Sequence, residues 1–167
     1  MVDWLWRVAL RVAIRVLRVV WFFQRPLAQG AYVAVWWDDR LLVIRNSYRA
    51  EEGVPAGAID RGETAVQAAV RELREEVGVH ATEDELRYVC EVVVPYDFKD
   101  DHSHFFELRR DARPAVAVDN REVVWAEFVP EAELDARPLL PHVRGYLARR
   151  RETGAGLDDG RAARDDE

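Results

Sequence analysis

The chain has 167 residues, of which 49% are hydrophobic, and a formal net charge of −7. This size suits one folded domain with a core of its own, and the acidic balance argues against a nucleic-acid-binding protein, which would present a basic surface. A single cysteine, Cys90, excludes an internal disulfide framework and predicts a reducing compartment, the cytoplasm.

Residues 1–25 predict a basic amphipathic helix. Arg7, Arg11, Arg15 and Arg18 follow each other at spacings of four, four and three, so a helix places them on one narrow stripe, and nearly every other position is apolar. A secretory signal is not favoured, because no uninterrupted apolar run reaches the roughly 7 residues of its core. A membrane span is disfavoured because each central arginine costs about 2.5 to 3.5 kcal/mol.

Two alternatives remain open for this helix. It can lie in a membrane interface at the inner face of the membrane, with the arginine stripe toward the head groups. Alternatively, its wide apolar face can pack on the domain or on a second subunit, which would make a homodimer. In either case Pro26 is expected to end the helix.

From residue 31 onward the chain predicts strands on both sides of one central helix. Runs rich in β-branched and aromatic residues predict strands over 31–37, 41–45, 86–94, 104–109 and 123–129. A hairpin is predicted at 38–40 and a loop at 46–56. A C-terminal helix is predicted over 138–151, and the polar residues 153–167 predict a disordered tail. This order of elements is typical of an α+β fold.

The central helix is predicted over residues 64–77, where apolar residues recur at helical spacing. Thr64 or Glu63 can cap its N-terminus, and Gly78 suits the left-handed residue that ends many helices. The preceding loop, residues 57–62, contains two glycines, so its backbone could approach a diphosphate near the helix N-terminus.

Three carboxylates project from one face of that helix, because Glu72 lies three and four residues before Glu75 and Glu76. Arg71 and Arg74 can neutralise part of their charge, and an isolated sequence of this kind would be interpreted as a solvated, salt-bridged face. A hard divalent cation neutralises the cluster better, since Mg²⁺ takes a few carboxylate oxygens and keeps water or substrate phosphate in its other positions.

The wider pattern favours the cation. Residues 57–79 follow G-x5-E-x7-R-E-U-x-E-E-x-G-U, where U is a bulky aliphatic residue. This resembles the Nudix box of the Nudix hydrolase superfamily, in its MutT-like and ADP-ribose pyrophosphatase-like members. The resemblance implies an α/β/α sandwich with a mixed sheet over residues 26–152, preceded by the amphipathic helix. One departure is Ala56, where many relatives carry glycine.

The resemblance also implies the chemistry. It indicates a pyrophosphohydrolase, dependent on Mg²⁺ or Mn²⁺, that cleaves a nucleoside diphosphate linked to another group X into a nucleoside monophosphate and phospho-X. Glu75 and Glu76 would be the principal metal ligands, Glu72 a third ligand or a positioning group, and Gly57 a point of backbone approach to ligand or metal. Glu63 and Arg71 would hold the loop.

Outside the box, three residues are candidates for the site. The resemblance implies that the general base is either a glutamate of the box or an acid on a distant loop. Glu122 is the distant candidate, because it precedes a strand that could lead back to the site, although an ordinary surface acid explains it at least equally well. Arg49 could clamp a phosphate, and His104, which shares a strand face with His102, could enter the substrate pocket.

The identity of X stays open among sugar nucleotides, oxidised nucleotides and lipid-linked diphosphates. Two other functions compete with hydrolysis. One is a non-catalytic nucleotide sensor, and the other is a Nudix-fold prenyl diphosphate isomerase, which would need a cysteine in its pocket. Cys90 lies inside a predicted strand and supports the isomerase poorly.

Overall fold

The computed structural model describes residues 2–24, 27–96 and 99–153. The predicted end of the N-terminal helix at Pro26 and the predicted tail beyond Thr153 lie outside these ranges. The helices of the described part are α1 (Val2–Gln24), α2 (Ala65–Val77) and α3 (Pro141–Glu152). Its strands are β1 (Leu27–Trp37), β2 (Arg40–Asn46), β3 (Glu52–Gly53), β4 (Ala56–Ala58), β5 (Arg87–Tyr96), β6 (Lys99–Arg110) and β7 (Val123–Pro130).

The strands form one mixed sheet. Its order is β3-β2-β1-β6-β5, while β4 pairs with β1 and β7 pairs with β2. The β1–β6 pair is parallel and the other pairs are antiparallel. The α+β character and the mixed sheet predicted from the sequence are therefore confirmed.

Strands β1 and β2 are joined only near their hairpin, where Trp36 pairs with Leu41. The turn residues Asp38 and Asp39 have φ values of 47° and 53°, as the favoured two-residue hairpin turn requires. Beyond the hairpin the strands separate, because β1 continues against β4 while β2 continues against β3 and β7. This separation leaves room for a site at the sheet.

Helices α2 and α3 cover opposite faces of the sheet. The α2 face packs on apolar residues that include Val33, Leu42, Phe106, Leu108 and Phe128. The α3 face packs on apolar residues that include Ala34, Val43, Phe105 and Val129. The three-layer arrangement predicted by the family resemblance is thus present.

The sequence prediction was wrong at several boundaries, including the starts of β1 and β6, which it placed at 31 and 104. Residues 46–56, predicted as a loop, contain β3 and the first residue of β4. Helix α3 begins at Pro141 rather than at 138. The reason is that the preceding residues are fixed in extended form: Arg137 makes hydrogen bonds of 2.8 and 2.9 Å to the buried carboxylate of Glu52, and Leu139 bridges to the same residue.

Both ends of α2 are fixed by the residues that the sequence indicated. The Thr64 hydroxyl accepts from the Gln67 backbone N–H at 3.3 Å, and the Gln67 side chain accepts from the Thr64 N–H at 3.0 Å. Thr64 is therefore the cap, rather than Glu63. Gly78 has a φ of 67° and ends the helix.

Helix α1 contacts the domain through Arg7 and Arg11. The Nε of Arg7 donates to the carbonyl oxygen of Asn120 at 2.9 Å, and the Nε of Arg11 donates to that of Ser47 at 3.0 Å. The sequence alternatives placed the arginine stripe toward head groups or packed the apolar face on the domain or on a second subunit; Arg7 and Arg11 instead contact the domain, and the membrane and second-subunit contacts stay predictions. The apolar side chains are 37–66% exposed at Trp4, Leu5, Trp6, Val8, Val12, Val16 and Leu17.

No helix in the described ranges combines the length and the apolar character that crossing a membrane requires.

A buried polar network links α3 to the sheet. The Trp36 Nε1–H donates to the Tyr146 hydroxyl at 2.8 Å, and this hydroxyl donates to Glu107 at 2.6 Å. Arg150, only 2% exposed, lies 3.3 Å from Glu107 and stacks 4.1 Å from the Trp36 ring centroid. Burial raises the pKa of Glu107, but hydrogen bonds from Tyr146 and Arg87 outweigh it and lower that pKa. Trp36 and Glu107 are thus structural residues.

Replacing Arg150 with methionine is expected to lower the free energy of unfolding by about 3 kcal/mol, because it removes a buried cation from beside the Glu107 carboxylate and from its stacking on Trp36. The measurement is urea unfolding followed by circular dichroism. Arg149→Met, at an exposed neighbouring position, is the control and should change the free energy of unfolding by less than about 0.5 kcal/mol. Equal unfolding midpoints for the two variants would contradict a stabilising role of the network.

Candidate active site

Strand β4 lies directly over α2 at Gly57. A Cβ built on Gly57 would lie 1.9 Å from Oε1 of Glu72 and 2.1 Å from its Cδ. Only glycine allows this approach while the Glu72 side chain keeps its position. Gly57 therefore brings the loop backbone against the acidic face of the helix, and its predicted approach to ligand or metal stays a prediction.

Arg71 ties the loop to the helix. Its Nε and Nη2 donate to the two carboxylate oxygens of Glu63, each at 3.0 Å, and Nη2 also donates to the Ala58 carbonyl oxygen at 2.9 Å. Its Nη1 donates to Glu72. The bond from Arg71 is the main cause that lowers the pKa of Glu63. This geometry is that of residues holding the loop, as the resemblance implies.

Glu76 is a buried carboxylate. Its side chain accepts from the backbone N–H of Ala56 at 2.9 Å, and the residue is 6% exposed. Burial raises the pKa of Glu76 well above its ordinary value, and the negative charges of Glu122 and Glu72 raise it further. Burial likewise raises the pKa of Glu72, whose side chain is 13% exposed. Glu75 differs, since its side chain is 52% exposed.

Glu122 comes to the same place from a distant loop. Its carboxylate accepts from the Tyr48 hydroxyl at 2.7 Å, and its carbonyl oxygen accepts from the Ser47 N–H at 2.7 Å. The Asp119 side chain accepts from the Glu122 N–H at 3.1 Å and shapes this loop. Burial, followed by the charge of Glu122, raises the pKa of Tyr48. Two loops are therefore joined through Glu122.

These residues surround a cavity of about 250 Å³ where β1 and β2 separate. Of the predicted site residues, Gly57, Arg49, Glu76 and Glu122 line it. The other lining residues are Gln29, Gly30, Tyr32, Asn46, Tyr48, Val54, Ala56, Ala58, Asp101 and Leu140.

The remaining predicted residues lie outside that lining. Glu72 lies beneath Gly57, and Glu75 is on the exposed side of α2. His104 lies beside the Tyr88 ring, with 6.4 Å between centroids, so its substrate role stays a prediction that this cavity does not support. Its neighbour His102 contacts Glu91 through Nδ1 at 2.5 Å.

A larger cavity of about 390 Å³ lies beside β7. It is lined mainly by apolar residues, and Arg113 and Glu127 are its charged residues. Because it gathers no set of carboxylates, the smaller acidic cavity is the candidate active site.

Sequence reasoning missed Tyr32 and Asp101. Tyr32 stacks on Phe105 and on His142, with 4.9 and 5.5 Å between ring centroids. Asp101 is buried and lies 3.5 Å from Nε2 of His142. Neither residue stands in a motif, so only the parallel pairing of β1 with β6 brings them together.

The donor chemistry of the site suits Mg²⁺ or Mn²⁺, because the convergent groups are carboxylate and carbonyl oxygens. In residues 2–24, 27–96 and 99–153, no three acidic, histidine or cysteine side chains are gathered as a ready ion site. Glu72 is engaged by Arg71, and Glu76 by the Ala56 N–H. Burial is the largest cause that raises the pKa of Glu72 and of Glu76, and neighbouring carboxylates raise both further. A bound cation relieves this repulsion between carboxylates.

Comparison with known families gives one match: the NUDIX domain model matches residues 26–150. The matched region contains the candidate site and leaves α1 outside it. No curated protein matches the chain.

Solved structures share the fold at low sequence identity. A MutT protein from Methanosarcina mazei Go1 has a TM-score of 0.68 at 17% identity, covering 78% of this chain and 96% of that one. A C. elegans Ap4A hydrolase has a TM-score of 0.66 at 16% identity, covering 78% and 100%. A bifunctional NMN adenylyltransferase/ADP ribose pyrophosphatase from Francisella tularensis, complexed with AMP and a manganese ion, has a TM-score of 0.68 at 17% identity, covering 85% and 48%.

Arg71→Lys is expected to lower the free energy of unfolding by about 1 to 2 kcal/mol, because lysine cannot reproduce the forked contacts of Arg71 with Glu63 and Ala58. Thermal or urea unfolding measures it. Arg74→Lys is the matched control, since Arg74 is 59% exposed and contacts Glu75 only at 3.4 Å. A loss no greater than that of the control would show that Arg71 does not hold the loop.

Proposed function

The chain belongs to the NUDIX family, and from that premise we propose that it is a metal-dependent pyrophosphohydrolase that cleaves a nucleoside diphosphate linked to X into a nucleoside monophosphate and phospho-X. The observation that carries the proposal is the cavity in which Glu76 and Glu122 converge from distant parts of the chain. The proposal divides the chain into an N-terminal helix (1–25), a catalytic domain (26–152) and a tail (153–167).

Glu72, Glu75 and Glu76 are the proposed ligands of Mg²⁺ or Mn²⁺, with backbone near Gly57 close to the ion. When bound, the ion would neutralise the charge of the diphosphate and favour its attack by water. Glu75 is exposed and could turn to the ion, while Arg71 would have to share Glu72 with it. The manganese bound by the Francisella protein agrees with this metal class.

Glu122 is the proposed general base. It would accept a proton from the attacking water as the new P–O bond forms and the anhydride P–O bond breaks, with the phosphate ester of the other half leaving. The Tyr48 hydroxyl, 2.7 Å from Glu122, orients this carboxylate. Arg49 lines the same cavity and would bind a phosphate oxygen.

Two of the structural neighbours are named as an Ap4A hydrolase and an ADP ribose pyrophosphatase, and these names favour nucleotide-type substrates. We propose the same class here, in a cytoplasmic setting that the single cysteine favours. An isomerase is less well supported, because Cys90 does not line the cavity and burial raises the pKa of its thiol. A sensor without catalysis remains the alternative that the hydrolysis assay decides.

Purified protein with Mg²⁺ is expected to cleave one class from a panel of ADP-ribose, dinucleotides, nucleoside triphosphates and lipid-linked diphosphates. Glu76→Gln should abolish cleavage, and Glu122→Gln should lower kcat by roughly 10² to 10⁴-fold, because the general base is lost. Glu127→Gln, at an exposed position on β7, is the control and should retain full activity. Binding of Mg²⁺ and nucleotide without any cleavage would support the sensor instead.

We further propose that residues 1–25 make a peripheral membrane contact. The supporting observation is that α1 is held through Arg7 and Arg11, while Trp4 and Trp6 at its N-terminal end remain more than half exposed. Tryptophan favours the boundary between head groups and acyl chains. A second copy of the chain is the competing occupant of this apolar side.

Flotation with vesicles of phosphatidylcholine and phosphatidylglycerol tests this contact in the full chain. Replacing Trp4, Leu5 and Trp6 with glutamine should abolish flotation, because it removes the apolar area that membrane binding would bury. The matched control is the replacement of Tyr88 and Val93 with glutamine. These residues are 54% and 52% exposed on β5, and their replacement should leave flotation unchanged. Dimers in sedimentation that dissociate in the α1 variant, without flotation of the wild type, would assign the surface to a second copy.

A further inference from the structure

A second cleft, of about 330 Å³, lies between α1 and the loop that follows β2. One wall is formed by Arg11, Ile14 and Arg15 of α1. The opposite wall is formed by residues 47–50. Because α1 precedes the residues that match the family model, this cleft depends on a segment outside that model.

The cleft is strongly basic in an acidic protein. Arg11, Arg15 and Arg49 line it, and among the described residues no acidic side chain does, although the chain carries a net charge of −7. Arg49 also lies over the Tyr48 and Tyr96 rings, 5.3 and 5.4 Å from their centroids, which orients its guanidinium group. Guanidinium groups gathered in this way are suited to phosphate oxygens, which they can bind in a forked geometry.

A hydroxyl group at the cleft also lacks a partner. Ser47 is 8% exposed and lines the cleft, and within the described residues its Oγ is buried with no hydrogen-bond partner. Buried polar atoms are nearly always hydrogen-bonded in folded proteins. An oxygen of a bound anion would accept from this hydroxyl and satisfy it.

The cleft and the acidic cavity share a wall. Tyr48 and Arg49 line both of them, and Tyr48 also hydrogen-bonds Glu122. A ligand in the acidic cavity could therefore extend across these residues into the cleft. The two sites have opposite charge, so the cavity would take a cation with its diphosphate while the cleft would take an anion directly.

We propose that this arginine cleft binds a phosphate group on the X half of the substrate, in addition to the diphosphate that is cleaved. This inference rests on the proposed hydrolase function and narrows its substrate class to compounds with a further phosphate. That phosphate belongs either to a soluble molecule or to a lipid head group, since α1 also carries the exposed apolar side chains.

The direct test is titration of the full chain with inorganic pyrophosphate by calorimetry, in EDTA and low salt, so that no divalent ion contributes. Wild-type protein should bind, and Arg15→Gln should weaken the affinity at least tenfold. Arg149→Gln, an exposed arginine on α3, removes the same charge elsewhere and should bind like the wild type. No binding by the wild type, or equal affinities for the wild type and Arg15→Gln, would overturn the proposal.

Two further measurements distinguish the sources of the phosphate. Flotation that is stronger with phosphatidic acid vesicles than with phosphatidylglycerol vesicles, and that depends on Arg15, would assign the cleft to a lipid head group. If the source is soluble, Arg15→Gln should raise KM without changing kcat for a cleaved compound with an additional phosphate, and leave KM for ADP-ribose unchanged. Failure of hydrolysis itself would leave the pyrophosphate titration intact, so the two proposals fail separately.

Discussion

The burial of the Glu76 carboxylate beneath β4 is the constraint on which the candidate site depends. A hydrogen bond from the Ala56 N–H helps to hold it there, and burial raises its pKa. Strand β4 can approach α2 this closely only because Gly57 has no side chain that would clash with Glu72. The acidic face of α2 is therefore placed at the opening between β1 and β2 rather than in free solvent, where its charges would be screened.

Two loops complete the site by holding each other. Ser47 and Tyr48 follow β2, Glu122 precedes β7, and the backbone and side-chain hydrogen bonds between them fix the distance from Glu122 to the helix acids. The antiparallel pairing of β2 with β7 brings these loops to the same end of the sheet. A residue far from the box in sequence thereby becomes part of its electrostatic environment.

Helix α1 contacts these same two loops, through Arg7 at Asn120 and Arg11 at Ser47. This orientation differs from that of an ordinary amphipathic helix, since Arg7 and Arg11 contact the domain while apolar side chains such as Trp4 and Val12 are exposed. Exposed apolar area on this scale marks an interaction surface. The same helix thus forms a wall of the basic cleft and carries the surface proposed to meet the membrane.

The sequence by itself determined the chemistry of the box and the local structure that presents it. The spacing of Glu72, Glu75 and Glu76 fixes their placement on α2, and Thr64 and Gly78 fix its ends, because helix geometry and capping act over a few residues. Only the tertiary structure decided that Glu122 and Asp101 meet at one cavity, that Glu107 belongs to the core, and that Arg7 and Arg11 face the domain. Those outcomes depend on strand pairing and on the competition between burial and charge pairing, which no local pattern encodes.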